Sequence, residues 1–147
     1  MTPLDDDVDR IMAVMEAAFD PRFGEAWSRR QVLDALLLGN CHYRLVGTPE
    51  PTGFYLSRHG FEEEELLLLA VVPGYRGRGL GKALLEDLRA AAISRGSSRL
   101  LLEMRRENPA GTLYASLGFH QIGERLGYYR TADGSRLDAI TLALDLD

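Results

Sequence analysis

The 147-residue sequence predicts a mixed α/β domain with a central, mostly antiparallel sheet and helices on both faces. Two observations lead to this fold class. Two buried-strand patterns flank one amphipathic helix in mid-chain, and such a strand–helix–strand unit is parallel with a right-handed crossover. Helical patterns precede this unit, and hairpin patterns lie on both sides of it. No repeat or linker divides the chain, so we expect residues 1–147 to form a single domain.

Two helices are predicted first. Asp7 is the predicted N-cap of a helix with apolar residues at helical spacing: Val8, Ile11, Met12, Met15, Ala18 and Phe19. After the break DPRFGE, Ser28 and Gln31 have the spacing of a capping box, and Gly39 follows the second helix.

Strand patterns follow. CHYRLVG and GFYLSR, joined by the turn-rich TPEPT, predict a hairpin. Glu62–Glu65 are expected to form a solvated acidic turn, with an acceptor-binding patch as the alternative. The continuous apolar run Leu66–Val72 is typical of a strand buried on both faces.

The second half of the chain completes the parallel unit and ends in a hairpin. An apolar stripe predicts a helix that ends near Gly96, and RLLLEM is the next buried strand. A short helix has Asn108 as its predicted N-cap and Pro109 at its first position, with Gly118 beyond its end. QIGERLGYY and RLDAITLAL form the final hairpin around an Asp-Gly turn.

Composition excludes several classes of function. A net charge of −5, from 17 basic and 22 acidic residues, argues against general nucleic-acid binding. One cysteine and three scattered histidines predict neither a disulfide nor a metal site. The start MTPLDDDVDRI lacks the features of a signal peptide, and no apolar run approaches the roughly 20 residues that span a bilayer. We expect a cytoplasmic protein with no metal, membrane or nucleic-acid partner.

The loop RGRGLG before the central helix predicts an anion site. The first amides of a helix have no intrahelical partner and carry the positive end of its dipole. Alternating glycines let a phosphate approach the backbone. The loop lacks the Ser or Thr of a P-loop, and its GxGxG spacing differs from the GxGxxG of dinucleotide-binding folds. The sequence therefore predicts a polyphosphate ligand of another kind.

RGRGLG fits the [QR]-x-x-G-x-[GA] signature of one enzyme family, and three further motifs follow in order: LLLEMRREN, LYASLGF and GYYRTADG. Over residues 5–145 the chain resembles the GNAT acyl-CoA N-acetyltransferases, and most of all the bacterial ribosomal-protein alanine N-acetyltransferases. The resemblance implies a GNAT fold and acetyl-CoA as co-substrate. The family normally has a strand ahead of its first helix, and here only MTPL is available for it, so that strand is expected to be short or absent.

The resemblance also implies cofactor contacts. The coenzyme A pyrophosphate would bind the loop residues Arg76, Gly77, Arg78, Gly79, Leu80, Gly81 and Lys82. The pantetheine arm would pair with the backbone of Ala70, Val71 and Val72. The Asn108 side chain would lie within reach of that arm, a role compatible with helix capping.

Glu103 and Tyr114 match the family's catalytic positions. Glu103 would remove the proton of the acceptor ammonium, either directly or through ordered water; the alternative is a strand-end glutamate that faces solvent or pairs with Arg105. Tyr114 would protonate the leaving thiolate, because a phenol with a pKa of about 10 is protonated at neutral pH. The alternative for Tyr114 is a core tyrosine.

The acceptor side is the least determined. Tyr128 and Tyr129 are predicted to line a slot for an extended peptide, or else are ordinary strand aromatics. Glu25 and Asp138 would favour cationic residues next to the amine. Where the relatives have Asn before the tyrosine pair this chain has Gly127, and Leu137 precedes Asp138 where the relatives have Glu.

Three hypotheses about function follow. The first is acetylation of a peptide or protein N-terminal amine, ribosomal proteins included. The second is acetylation of a small-molecule amine or amino acid, and the third is a non-catalytic acyl-CoA-binding module. The presence of both Glu103 and Tyr114 argues against the third hypothesis. For the oligomeric state, the sequence leaves both a monomer and a homodimer open.

Overall fold

The computed structural model describes residues 3–146, and its elements follow the predicted order. The helices are α1 (Pro3–Ala18), α2 (Arg29–Leu37), α3 (Leu80–Ser94) and α4 (Ala110–Ser116). The strands are β1 (Cys41–Val46), β2 (Gly53–His59), β3 (Glu63–Val71), β4 (Arg99–Arg105), β5 (His120–Arg130) and β6 (Arg136–Asp145). Short 3-10 turns lie at Pro21–Phe23 and Pro73–Tyr75. None of the described helices is long and apolar enough to cross a membrane.

The strands form one mixed sheet in the order β1-β2-β3-β4-β6-β5. Among the strand pairs of residues 3–146, β3 and β4 run parallel and the others are antiparallel. The parallel pairing runs from Glu63 beside Arg99 to Leu66 beside Leu102. This arrangement confirms the predicted mixed fold with its single parallel unit and flanking hairpins.

Apolar side chains cover both faces of the sheet. Residues of α3 and α4 pack with β4 and β6 on one face, and residues of α1 and α2 pack with β1 and β2 on the other. β3 serves both cores, because a bulge opposite Leu56 and Ser57 shifts its register. Leu66 therefore joins the α3 core, whereas Leu68 and Ala70 join the α1 core.

Three local predictions have clear outcomes. The capping box of Ser28 and Gln31 at α2 is confirmed, with both reciprocal hydrogen bonds present. Asp7 is not an N-cap, because α1 begins at Pro3; instead its carboxylate accepts a hydrogen bond from the Tyr43 hydroxyl and ties α1 to β1. Residues 3–18 form a helix, so Pro3 and Leu4 contribute no strand ahead of α1, and Met1 and Thr2 lie outside the described residues.

The acidic run is the main correction. Residues 63–65 begin β3 rather than forming a solvated turn, and Glu64 is fully buried. Its carboxylate accepts hydrogen bonds from Arg95 Nε (2.8 Å) and Nη2 (2.5 Å), and from the Ser57 hydroxyl (2.8 Å). β3 also alternates between buried and half-buried residues, so the apolar run is not uniformly buried on both faces.

Candidate active site

A cleft of about 650 Å³ opens where β3 and β4 separate. Their pairing ends at Leu66 and Leu102, so the last part of β3 lies free on the side that faces β4. The walls come from both faces of the sheet: α4 on one face, and the segment between α1 and α2 on the other. The cleft can therefore be reached by one substrate from each face.

The glycine loop forms one end of this cleft. Nine of the eleven residues predicted to contact the cofactor line it: Ala70, Val71, Arg76, Gly77, Gly79, Leu80, Gly81, Lys82 and Asn108. α3 begins at Leu80 with Gly79 as its N-cap, and no side chain caps it. Its first amides therefore keep their donors for a ligand.

Gly79 shows why this loop needs glycine. Its φ is +80°, a left-handed conformation that side chains rarely adopt, and a Cβ there would meet no protein atom within 4 Å. The space beside its backbone is thus open to the cleft. The geometry fits a phosphate group approaching the amides directly.

Three residues predicted to bind coenzyme A make contacts within the protein instead. The Arg76 guanidinium donates to two carbonyl oxygens, those of Val71 (3.1 Å) and Ala18 (2.9 Å), and so ties the loop to the end of α1. Arg78 stacks on the Tyr75 ring, 5.2 Å from its centroid, and lines a neighbouring hollow beside the β1–β2 connection. Val72 is absent from the cleft walls, and its N–H donates to the Thr52 carbonyl.

Tyr114 lines the cleft from α4 and is buried. Burial, reinforced by the negative charge of Glu25, raises the pKa of its phenol well above the usual value, so the group keeps its proton. The Phe119 ring packs edge-on against it at 5.6 Å. No described group hydrogen-bonds the hydroxyl, and no buried polar side-chain atom in residues 3–146 lacks a partner. The hydroxyl must therefore reach solvent, and the cleft is its route.

Glu103 lies on β4 and is 20% exposed. Its carboxylate pairs with Arg125 of β5 at 3.2 Å, not with Arg105 as the alternative prediction had it. Glu103 is not among the cleft's lining residues. Arg125 also lies over the Tyr128 ring, 4.8 Å from its centroid, so the pair belongs to the β5 side of the site.

The tyrosine pair of β5 lies beside Glu103. Tyr129 is half-buried, and its pKa is raised to about 12 by burial and by the charges of Glu103 and Glu25. Tyr128 is 50% exposed and meets the Tyr129 ring edge-on at 5.2 Å. The negative charges of both carboxylates therefore act on the Tyr129 phenol.

Both carboxylate oxygens of Asp138 are engaged by groups of the protein. One oxygen accepts from the Gly127 N–H at 2.9 Å, and the other lies 3.5 Å from Arg106 Nε. Gly127 has φ +61°, a conformation that glycine and asparagine adopt most readily. Gly127 therefore adopts this left-handed conformation without backbone strain.

Sequence reasoning missed the polar cluster at the other wall. Glu25 Oε1 lies 3.2 Å from Arg105 Nε, and Glu25 Oε2 accepts from Asn108 Nδ2 at 3.4 Å. The Arg105 guanidinium lies over the Phe23 ring, 3.7 Å from its centroid. The residues are about 80 positions apart in sequence, so no local pattern links them. α4 begins at Ala110 with Pro109 as its N-cap, one residue later than predicted, and the Asn108 side-chain oxygen accepts a hydrogen bond from the Ala110 N–H.

No group of three His, Cys, Asp or Glu side chains within residues 3–146 is arranged to hold a metal ion. The expectation of a metal-independent site stays a prediction.

Comparison with known proteins agrees with this geometry. Residues 39–121 match the family described as acetyltransferase (GNAT) domain. The [ribosomal protein bS18]-alanine N-acetyltransferase of Escherichia coli (strain K12) is 40% identical over 106 residues, covering 71% of each chain. The enzyme of that name from Haemophilus ducreyi is 32% identical over 146 residues, covering 99% of this chain and 98% of its own.

A solved structure extends the likeness to the whole fold. The ribosomal-protein-S18-alanine N-acetyltransferase from Escherichia coli superposes with a TM-score of 0.86 at 31% identity, covering 100% of this chain and 91% of that one. A family match over more than half the chain, with relatives aligned over most of their own length, leaves one assignment. This chain belongs to the GNAT family and is an N-acetyltransferase that uses acetyl-CoA.

Proposed function

We propose that this enzyme acetylates the N-terminal α-amine of a peptide or protein, and that its acceptor is a ribosomal protein. The observation that carries the proposal is the cleft between β3 and β4, which has walls on both faces of the sheet. Acetyl-CoA can occupy the glycine-loop end while an extended N-terminus enters from the other face. The names of the relatives support the acceptor class.

The protein groups that would hold acetyl-CoA are mainly backbone groups. The free amides at the start of α3 suit the pyrophosphate, with Lys82 adding charge. Ala70 and Val71 lie where β3 has separated from β4, so this segment of strand edge is available to the pantetheine arm. Val72 is left out of this proposal, because its N–H is already bonded. Acetyl-CoA supplies the activated acetyl group as a thioester.

Tyr114 acts as the general acid. Its proton is retained at neutral pH because burial and the nearby Glu25 carboxylate both oppose formation of phenolate. Its hydroxyl is open to the cleft and makes no hydrogen bond with any other group in residues 3–146. It can therefore deliver a proton to the departing thiolate.

Glu103 acts as the general base. An α-ammonium must lose a proton before its nitrogen can attack a thioester, and a carboxylate can receive that proton. Glu103 is not among the residues that line the cleft, so in this proposal an intervening water carries the proton to it. Arg125 Nε lies 3.2 Å from the Glu103 carboxylate and orients it.

The β5 tyrosines form the acceptor slot. Tyr129 is half-buried beside Glu103, and Tyr128 exposes half its surface next to it. Asp138 already binds the Gly127 amide and lies beside Arg106, so we assign it to holding the hairpin rather than to contacting the acceptor.

A turnover screen tests the proposal. Peptides with free N-termini, the same peptides with blocked N-termini but free lysines, and polyamines or amino acids are each incubated with acetyl-CoA, and products are read by mass. We expect acetylation of free N-termini and none of the blocked peptides. Efficient turnover of small amines without any N-terminal peptide would establish the small-molecule alternative.

A further inference from the structure

The carboxylates of Glu25 and Glu103 belong to the candidate site, and they differ in how directly a substrate in the cleft can reach them. Glu25 lines the cleft, whereas Glu103 does not. Among the described residues, Asp20 and Glu25 are the carboxylates on the cleft wall, and Asp20 is hydrogen-bonded to its neighbour Arg22. An incoming cation would therefore meet Glu25 before it meets Glu103.

Glu25 is held in place before any ligand arrives. Its side chain is 16% exposed and its partner Arg105 is 12% exposed, so the ion pair is largely desolvated. Arg105 is held in turn by the Phe23 ring, and Asn108 contacts the second carboxylate oxygen. The Asn108 contact is long, at 3.4 Å, which leaves that oxygen with accepting capacity on the cleft side.

Glu25 and the general acid Tyr114 line the same cleft. Burial raises the pKa of both Tyr114 and Tyr129, and the charge of Glu25 adds to both shifts. Glu103 influences Tyr129. Glu25 thus lies on the wall of the same cleft as the general acid, where an amine bound to its carboxylate faces the space for the thioester.

We infer that Glu25 binds the acceptor's ammonium group in the cleft and aims its nitrogen at the thioester. This inference rests on the proposed function. The ammonium donates one N–H to the free lone pairs of Glu25, and another N–H proton passes through water to Glu103. Loss of that proton frees the nitrogen lone pair, which forms a C–N bond to the acetyl carbon as the C–S bond breaks. Tyr114 protonates the departing thiolate, and the second proton shed by the new amide nitrogen restores the Tyr114 phenol. Glu25 is then a specificity-determining residue for a charged primary amine.

A structural role for Glu25 makes a different prediction. If the Glu25–Arg105 pair merely closed the segment between α1 and α2 over the cleft, removal of either partner would have the same effect. If Glu25 binds the ammonium, removal of Arg105 frees the carboxylate and leaves recognition of the charge intact. The two partners can therefore be compared directly.

The probe is an Ala-initiated hexapeptide together with the same peptide in which propionyl replaces alanine. The second lacks only the α-amino group. Binding of each is measured by competition in the presence of saturating coenzyme A, for wild type, Glu25→Gln, Arg105→Gln and the charge-matched control Glu16→Gln on the exposed face of α1. Thermal melting and coenzyme A affinity are measured for each variant as controls on folding.

We expect wild type and Glu16→Gln to bind the amino peptide on the order of 10- to 100-fold more tightly than the propionyl peptide, as for one charge-assisted hydrogen bond. Glu25→Gln brings that ratio close to one, and Arg105→Gln keeps it at tenfold or more. An unchanged ratio in Glu25→Gln overturns the inference, and so does an equal loss in Arg105→Gln.

Failure of the proposed function gives a separate signal. If wild type acetylates no N-terminal peptide, the acceptor assignment is wrong. The same comparison of variants is then made with the small amine that is acetylated and its deaminated analogue.

Discussion

Glu64→Gln tests the contribution of the buried ion pair between Glu64 of β3 and Arg95 to stability. The substitution keeps the size of the side chain but removes the negative charge that faces Arg95, which is 25% exposed. Removal of one partner from a buried pair typically costs 3–5 kcal/mol, because the other charge stays desolvated. Since Arg95 retains some solvent contact, we expect the free energy of unfolding to fall by the low end of this range, about 3 kcal/mol. At 2–4 °C per kcal/mol for a chain of this size, Tm falls by roughly 6–12 °C.

The neighbouring residue provides the control. Glu65→Gln makes the same chemical change on the same strand, but Glu65 and its partner Arg58 are 39% and 49% exposed. Exposed pairs contribute about 0–1 kcal/mol, so Tm should move by no more than about 4 °C. Thermal and urea denaturation of both variants measure the difference. Equal destabilisation by the two substitutions would refute the reasoning, because burial is what separates them.

The Glu64–Arg95 pair also predicts that the stability of the fold depends on pH. Burial by itself would raise the pKa of Glu64, but hydrogen bonds from Arg95 and Ser57, with the charge of Arg95, outweigh it and hold the pKa below its ordinary value. A pKa lower in the folded than in the unfolded state gives stability that is present above the unfolded value and lost as pH falls through the folded value. The stability gap between wild type and Glu64→Gln should therefore narrow in acid, below about pH 4. A gap that stays constant down to pH 2 would contradict this account.

The remaining predictions concern the site. Gly79→Ala should weaken coenzyme A binding at least tenfold by calorimetry, because a side chain would stand between the amides and the phosphate; Gly134→Ala, at the similar φ of +89° in the β5–β6 turn, should not change the affinity. Tyr114→Phe and Glu103→Gln should each lower kcat by about 10² to 10⁴ while Tm stays within a few degrees, and wild-type turnover in either variant would remove that residue from the mechanism. Arg76→Gln breaks the link between the Val71 and Ala18 carbonyls, so we expect KM for the acceptor to rise more than the Kd of coenzyme A; equal changes would show that the arginine acts on the cofactor alone.

Much of the local structure was predictable. The capping box of Ser28 and Gln31, the hairpin turns and the glycine loop are short-range devices, because each is formed by residues within a few positions of one another. Asp7 failed as a predicted N-cap for a related reason: a helix can begin earlier than its apolar stripe, and the choice depends on packing. The site residues stay predictions until ligands or variants are measured.

The sequence by itself determined the order of elements, the single parallel unit and the position of an anion-binding loop ahead of α3. These follow from periodicity, turn chemistry and backbone freedom, which act over a few residues. Tertiary structure decided which charges meet. Glu64 is buried against Arg95, Glu103 pairs with Arg125 instead of Arg105, and Glu25 reaches the cleft wall. The partners in these pairs lie 22 to 80 positions apart along the chain, and a charged side chain carries no local signal of the partner that folding will bring to it.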